Sequence, residues 1–207
     1  MAFLFLGGYA FYKLYIELPI LFSVSTCVLI YRFGLMLFEL KNTLKSLDFS
    51  TIPWKCMEII DTYNKIEEKL YLLTDTLSVP LFIMLLLAFI NLHLALGLFI
   101  QEGISSPQLP DICLSAFTGV LIICLLTICG SKIPQYILEI KKTVELLISK
   151  YEINNLKRDR EFRILRRIEK SDVIYLSACG MVHFQKSFLL SAFGAFFTYG
   201  LLIEKDE

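Results

Sequence analysis

The chain has 207 residues, of which 56% are hydrophobic, and its mean hydropathy is +0.64. A soluble domain of this size is far less apolar, so composition excludes that class and points to a membrane protein. Its formal net charge of zero, from 20 basic and 20 acidic residues, conceals a strong asymmetry along the chain.

Residues 1–40 hold a first span, read over 14–38, with an uncharged centre at 18–31 flanked by Glu17 and Arg32. These two charges mark the ends of the span, Arg32 snorkelling toward the surface. Residues 1–12 are also apolar, but Gly7 and Gly8 interrupt them and no basic segment precedes them, which argues against a cleaved signal peptide. In 41–78, Ile59, Tyr63, Ile66, Leu70, Leu73 and Leu77 recur at alternating steps of four and three, the seam of an amphipathic helix predicted to run on into a second span at 79–100. Pro53 suits the first turn of that helix.

Residues 101–111 form a short loop without a basic residue, and 112–131 a third span free of charge. In 132–176, Ile133, Ile137, Ile140, Val144, Leu147 and Tyr151 repeat the seam, so the third span is predicted to continue past the membrane, with a kink where Pro134 interrupts the pattern. Asn154 and Asn155 break the run, and a basic helix over 158–170 leads to the last span. Both seams admit ordinary helix packing or a cytoplasmic domain joining subunits, and the basic helix also suits the anionic inner leaflet. The segment 177–203 carries a glycine-containing polar lead-in and a terminal span over 187–203, and 204–207 is a short tail. The stretches 79–100, 112–131 and 187–203 each meet the requirement of about 17 to 25 residues for crossing a hydrocarbon core.

The basic residues fix a predicted orientation. Lys41, Lys45, Lys55, Lys65 and Lys69 lie between the first and second spans, and eleven more lie between Lys132 and Lys170. The positive-inside rule puts both connections in the cytoplasm and both termini outside. The fold expected is an all-α polytopic transmembrane bundle with long cytoplasmic helix extensions.

Candidate chemistry is sparse. His93 and His183 are the two histidines, and neither stands beside a nucleophile elbow, a phosphate-binding glycine loop or a paired carboxylate, so no enzyme, catalytic residue or cofactor is expected. The six cysteines show no metal-ligand spacing and read as buried packing residues. Asn91 and His93, on adjacent turns of the second span, suit either hydrogen bonding between helices or the lining of a cavity. In the last span Ser187, Ser191 and Ala195 repeat every fourth residue, a small face that permits close helix contact.

The terminal segment resembles the C-terminal signature of arthropod gustatory receptors, in which a small-residue patch with a glycine precedes an apolar helix containing TYhhhhhQF, h being any apolar residue. Gly180 matches the patch, Thr198 and Tyr199 match the motif, and Gly200, Leu201, Leu202 and Ile203 fill the first four apolar positions. Glu204 stands at the fifth, Lys205 in place of Gln and Asp206 in place of Phe. The resemblance implies that the chain corresponds to spans four to seven of a seven-span receptor with an extracellular C-terminus, the first three spans not being represented. It further implies a plasma-membrane, ligand-gated, nonselective cation channel subunit for taste, assembled as a homo- or hetero-tetramer with related receptors and bound by a small-molecule tastant, without nucleic acid. The residues it marks for the pore are Leu190, Gly194, Thr198, Leu201 and Lys205, and for the ligand Tyr15, Phe22, His93, Ser115 and Thr118. Two other readings are a four-span accessory or scaffold protein without a pore and a G-protein-coupled receptor fragment.

Overall fold

A computed structural model describes residues 13–47, 52–100, 109–153 and 159–205. A π-helical turn, Lys13–Glu17, leads into helix α1, Leu18–Lys45. Helix α2 runs unbroken over Ile52–Ile100, with Pro53 in its first turn and Pro80 inside it. Helix α3, Leu109–Gly130, opens with Pro110 and Asp111, a residue without a backbone donor followed by an acid at the positive end of the helix dipole. Helices α4, Lys132–Ile153, and α5, Asp159–Lys170, follow. A hairpin of two short strands, β1 Ser177–Ala178 and β2 Val182–His183, precedes the terminal helix α6, Lys186–Lys205. Three helices are long and apolar enough to cross a membrane, and α6 adds a shorter apolar stretch over Lys186–Thr198. The all-α transmembrane bundle expected from composition is the observed architecture, with the hairpin as an addition.

One expectation is corrected: Cys113 and Cys179 are exposed rather than buried packing residues. The third apolar helix continues over Pro110–Lys150, and a one-residue turn at Ser131 divides it into α3, ending at Gly130, and α4, beginning at Lys132. Pro134 therefore falls in a first turn, where its missing N–H leaves no helical bond unmade. Starting a new helix just upstream avoids the steric cost of an interior proline.

The helices form two compact units. One consists of Leu29–Thr76 and Ser131–Leu176. Its core is the meeting of the seams: Ile59, Tyr63, Ile66, Leu70 and Leu73 from α2, Ile133, Ile137, Ile140 and Val144 from α4, and Leu37, Leu40 and Leu44 from α1 are all buried. In α4 the seam then drifts by one residue, burying Ile148 and leaving Leu147 half-buried, as 3.6 residues per turn dictates. Helix α5 packs on α4, with Leu165 and Ile168 buried and Arg163, Arg166, Arg167 and Lys170 exposed.

Polar contacts fix register around that core. Tyr136 lies edge-on to Phe38, 6.3 Å between ring centroids, and its ring edge sits 3.3 Å from where a Cβ on Gly34 would be, so a small residue is needed there. Lys41 Nζ reaches Glu139 at 2.6 Å. The Tyr63 and Ser171 hydroxyls bond at 2.6 Å, and Lys141 Nζ donates to the Ser171 carbonyl, so the end of α5 is tied to α2 and α4. Burial holds the Tyr63 phenol above its ordinary pKa, against the lowering effect of the Ser171 bond, and keeps it a donor.

The other unit gathers the described parts of Met1–Val28, Leu77–Gly130 and Ser177–Glu207. Leu81, Leu85, Ala88 and Leu92 of α2 are buried, as are Ile122, Ile123 and Leu126 of α3. The two helices are in close contact at Gly119, where an added Cβ would stand 2.9 Å from the Ala88 carbonyl oxygen and 3.0 Å from Leu92. Small residues allow this approach, which supplies dispersion contact where lipid offers no hydrophobic driving force. The buried Thr118 and Thr127 hydroxyls donate back to the Leu114 and Ile123 carbonyls at 2.8 and 2.7 Å. Each group is thereby satisfied without water.

The crossing at Gly119 yields a direct expectation. Gly119→Leu forces backbone to move and should cost about 1–3 kcal/mol. Gly97→Leu, with nothing within 4 Å of its added Cβ, should be close to neutral. Thermal unfolding in detergent compares them; equal losses would show that the close crossing is absent.

Candidate functional site: the hairpin and the terminal helix

The hairpin is built by a tight turn. Ser177 pairs with His183 and Ala178 with Val182, and the Met181 N–H donates to the Ala178 carbonyl at 3.0 Å. Both central residues of that turn have positive φ, Cys179 at 51° and Gly180 at 67°, the pattern of turns that match strand twist. Nothing lies within 4 Å of a Cβ added to Gly180, so glycine is favoured there by backbone conformation rather than by space. Cys179, which has a Cβ, pays about 1–2 kcal/mol for the same region. Its backbone N–H is taken by Ser78 of α2, donating to the hydroxyl at 2.8 Å and to the carbonyl at 3.3 Å.

The exit from the hairpin is stiff. Phe184 is fully buried and meets Phe188 edge-on at 6.2 Å. The Gln185 N–H donates to His183 O at 2.8 Å and the Phe188 N–H to Gln185 O at 2.9 Å, so α6 starts directly from β2.

Helix α6 packs against α3 and buries Ala192. With Ala192 as reference and about 100° per residue, Leu190, Gly194 and Thr198 fall roughly 160–240° round the helix, and Ser187, Ser191 and Ala195 roughly 220–300°. All six are exposed, Leu190 by 79%. The hydroxyls on these rows are satisfied within the helix: Thr198 Oγ1 donates to Gly194 O at 2.9 Å and Ser191 Oγ to Ser187 O at 3.3 Å. Leu201 and Lys205 continue the first row along α6, but their side chains, like those of Tyr199 and Tyr15, lie outside the described residues. Between Lys186 and Glu204 the helix has no titratable group apart from Tyr199.

The residues marked for a ligand are spread over three helices. Phe22 and Ser115 are half-buried, His93 is exposed, and Thr118 is buried with its hydroxyl turned back to Leu114. Two described cavities, of about 440 Å³ beside Lys55, Lys65 and Lys69 and about 420 Å³ beside Tyr63, Arg167 and Lys170, include none of them. Sequence reading missed Ser23. It is fully buried next to Phe22, and its hydroxyl is the buried side-chain polar atom without a hydrogen-bond partner among the described residues. An unmet hydroxyl in an apolar setting costs about 1–3 kcal/mol and is satisfied by whatever polar group reaches it; no periodicity marks such an atom.

No protein-family model and no curated protein matches the chain. Among solved structures, it is similar to the insect olfactory receptor OR5 from Machilis hrabei, determined in complex with eugenol, with a TM-score of 0.71 at 16% identity. The fold is shared with an insect olfactory receptor. The match covers 89% of this chain and 48% of that receptor, so the chain spans about half of the receptor's length.

The placement of α6 gives a paired test. Ala192→Leu pushes a larger side chain into the contact with α3 and should cost about 1–3 kcal/mol, whereas Ala195→Leu, on the exposed row, should stay within about 0.5 kcal/mol for the isolated chain. Thermal unfolding of detergent-solubilised monomer reads both. Greater loss from Ala195→Leu would mean that α6 presents another face to α3.

Proposed function

We propose that the chain is part of a chemoreceptor of the insect type: a subunit of a ligand-gated, nonselective cation channel in the plasma membrane, of the gustatory class, opened by a small-molecule tastant and assembled as a tetramer with copies of itself or related receptors. The observation that carries this reading is the fold shared with OR5 over 89% of the chain, joined to a terminal helix whose outward rows no other part of the described chain covers. Gustatory assignment rests on Gly180, Thr198 and Tyr199; an olfactory-type receptor is the second reading, favoured by the solved neighbour. The scaffold reading keeps the fold and omits the pore.

In this mechanism the row Leu190, Gly194, Thr198, Leu201 and Lys205 lines the pathway, and the small row meets the neighbouring subunit. A ligand that binds the open arrangement more tightly than the closed one shifts the population, and its differential affinity sets how far. Phe22, His93, Ser115, Thr118 and Tyr15 are the proposed contacts. Ser23 joins them, since its unmet hydroxyl suits a small, largely apolar molecule that brings a polar group to it.

Two measurements test the reading. An epitope after Glu207 should be accessible on intact cells and one inserted between Asn154 and Asn155 should not, because the basic residues of 132–176 hold that segment inside. The reverse pattern would favour the G-protein-coupled topology.

Conduction is the second test. The Lys205 ammonium, placed at the outer mouth, raises the local potential against cations, with Glu204, Asp206 and Glu207 offsetting part of it. Lys205→Gln should increase ligand-evoked cation current, more so at low ionic strength where an exposed charge is less screened. Unchanged conductance alongside altered currents in Thr198 or Leu201 variants would place Lys205 outside the pathway. No evoked current across a panel of small organic tastants would favour the scaffold reading.

A further inference from the structure

Helix α2 carries a proline where the hairpin docks. Pro80 has no N–H, so the carbonyl four residues before it lacks its helical donor, and the helix is easier to bend there than elsewhere along its length. Two residues earlier, Ser78 accepts the Cys179 N–H on both its hydroxyl, at 2.8 Å, and its carbonyl, at 3.3 Å, while the Cys179 sulfur lies 3.8 Å from that carbonyl. The contact is made by a residue held at φ 51°, in the left-handed region that a side chain disfavours. The tip itself is little packed: Met181 is 75% exposed, and Gly180 has open space around it.

The other end of the hairpin is anchored to α6. Ala178 and Phe184 are fully buried, Phe184 stacks edge-on with Phe188, and the bonds from Gln185 to His183 and from Phe188 to Gln185 leave no slack between β2 and the first turn of the helix. A weakly packed tip clasped to a bendable helix, and a rigid base continuous with the terminal helix, together form a lever.

We propose that the clasp of Ser78 on the Cys179 backbone is the coupling through which the bend of α2 at Pro80 sets the position of α6. Shifting Ser78 carries the hairpin tip, and the hairpin carries the first turn of α6. The side chain at 179 is not what couples; its N–H is, so Cys179→Gly keeps the clasp while relieving the backbone. Loss of the Ser78 hydroxyl leaves the backbone only its long bond to the carbonyl, beside the weak thiol contact at 3.8 Å, and loosens the clasp. The consequence for opening rests on the channel reading above, whereas the coupling itself does not.

Hydrogen exchange by mass spectrometry on the full chain in lipid nanodiscs tests this as a double-mutant cycle. Pro80→Ala, which restores the helical bond, should slow exchange over 186–190 by about threefold or more in the Ser78 protein, and by much less once Ser78→Ala is also present. Cys179→Gly should leave the Pro80→Ala effect intact. Additive effects of Pro80→Ala and Ser78→Ala would overturn the proposal. Should Ser78→Ala fail to fold, Ser78→Cys serves in its place: dissolved dioxygen, with copper phenanthroline as catalyst, accepts the two electrons and two thiol protons as position 78 joins Cys179 in a disulfide, and the cross-linked protein should show the slowest exchange over 186–190. Failure to cross-link, or unchanged exchange after it, would equally overturn the coupling. Cation flux into vesicles, measured with the same panel of small organic tastants, separates the two readings. A non-additive exchange cycle with no flux from any variant sinks the channel reading and leaves the clasp; additive exchange sinks the clasp whatever the flux.

Discussion

A backbone in hydrocarbon has nowhere to send its N–H and C=O groups except to itself, and this constraint orders most of the protein. It makes the spans helices, and it explains why the hydroxyls of Thr118, Thr127, Ser191 and Thr198 all turn back to carbonyls of their own helices. A turn with two positive-φ residues cannot satisfy itself by helical bonding, and the Cys179 N–H finds its acceptors on Ser78 of another helix. Ser23 is the described exception, and an exception under this constraint is where a ligand or a neighbour has something to supply.

Helix α2 links two packing regimes within one continuous rod. Over 59–73 its buried positions follow the alternating four and three steps of a seam with charged flanks, and the core is bulky aliphatic. From Leu81 onward, buried positions include Ala88 and Ala95, and contact with α3 depends on the absence of a side chain at Gly119. Bulky aliphatic burial stabilises through the area it removes from solvent; small residues stabilise by letting helices approach closely. That difference in physics, more than any loop, divides the chain.

Much of this was legible beforehand because it rests on periodicity. The seams from Ile59 to Leu73 and from Ile133 to Val144 are buried where the spacing put them, and Pro53 falls in a first turn. What escaped was what periodicity cannot carry. Strands of two residues have no alternation to read, and nothing in the sequence announces a cysteine in the left-handed region; Gly180 was noticed through a resemblance rather than for its turn. Pro134 was read as a kink because its pattern continues on both sides, and the helical path is interrupted at Ser131, just before it. The Tyr63 to Ser171 bond joins positions far apart in the chain, and no local rule finds it. The candidate pore row was named through the resemblance, and which face of α6 lines a pathway depends on neighbouring subunits that one sequence does not contain.

The faces of α6 nevertheless constrain how such subunits would be arranged. A helix that lines a pathway on the symmetry axis of a ring must turn one side to its own subunit, the opposite side to the axis, and a flank to its neighbour. Ala192 faces α3, the row through Leu190, Gly194 and Thr198 lies roughly opposite, and Ser187, Ser191 and Ala195 fall on the flank between. Small residues on a flank let adjacent copies approach closely, which a narrow pathway requires, and they are not needed on the axis, where Leu190 supplies bulk. The same helix is the one entered through the stiff hairpin, so rotation or tilt imposed at its first turn would move all three faces together. A ring built this way would change its opening by moving each helix as a whole, and in the coupling proposed above the turn held by Ser78 would be what moves it.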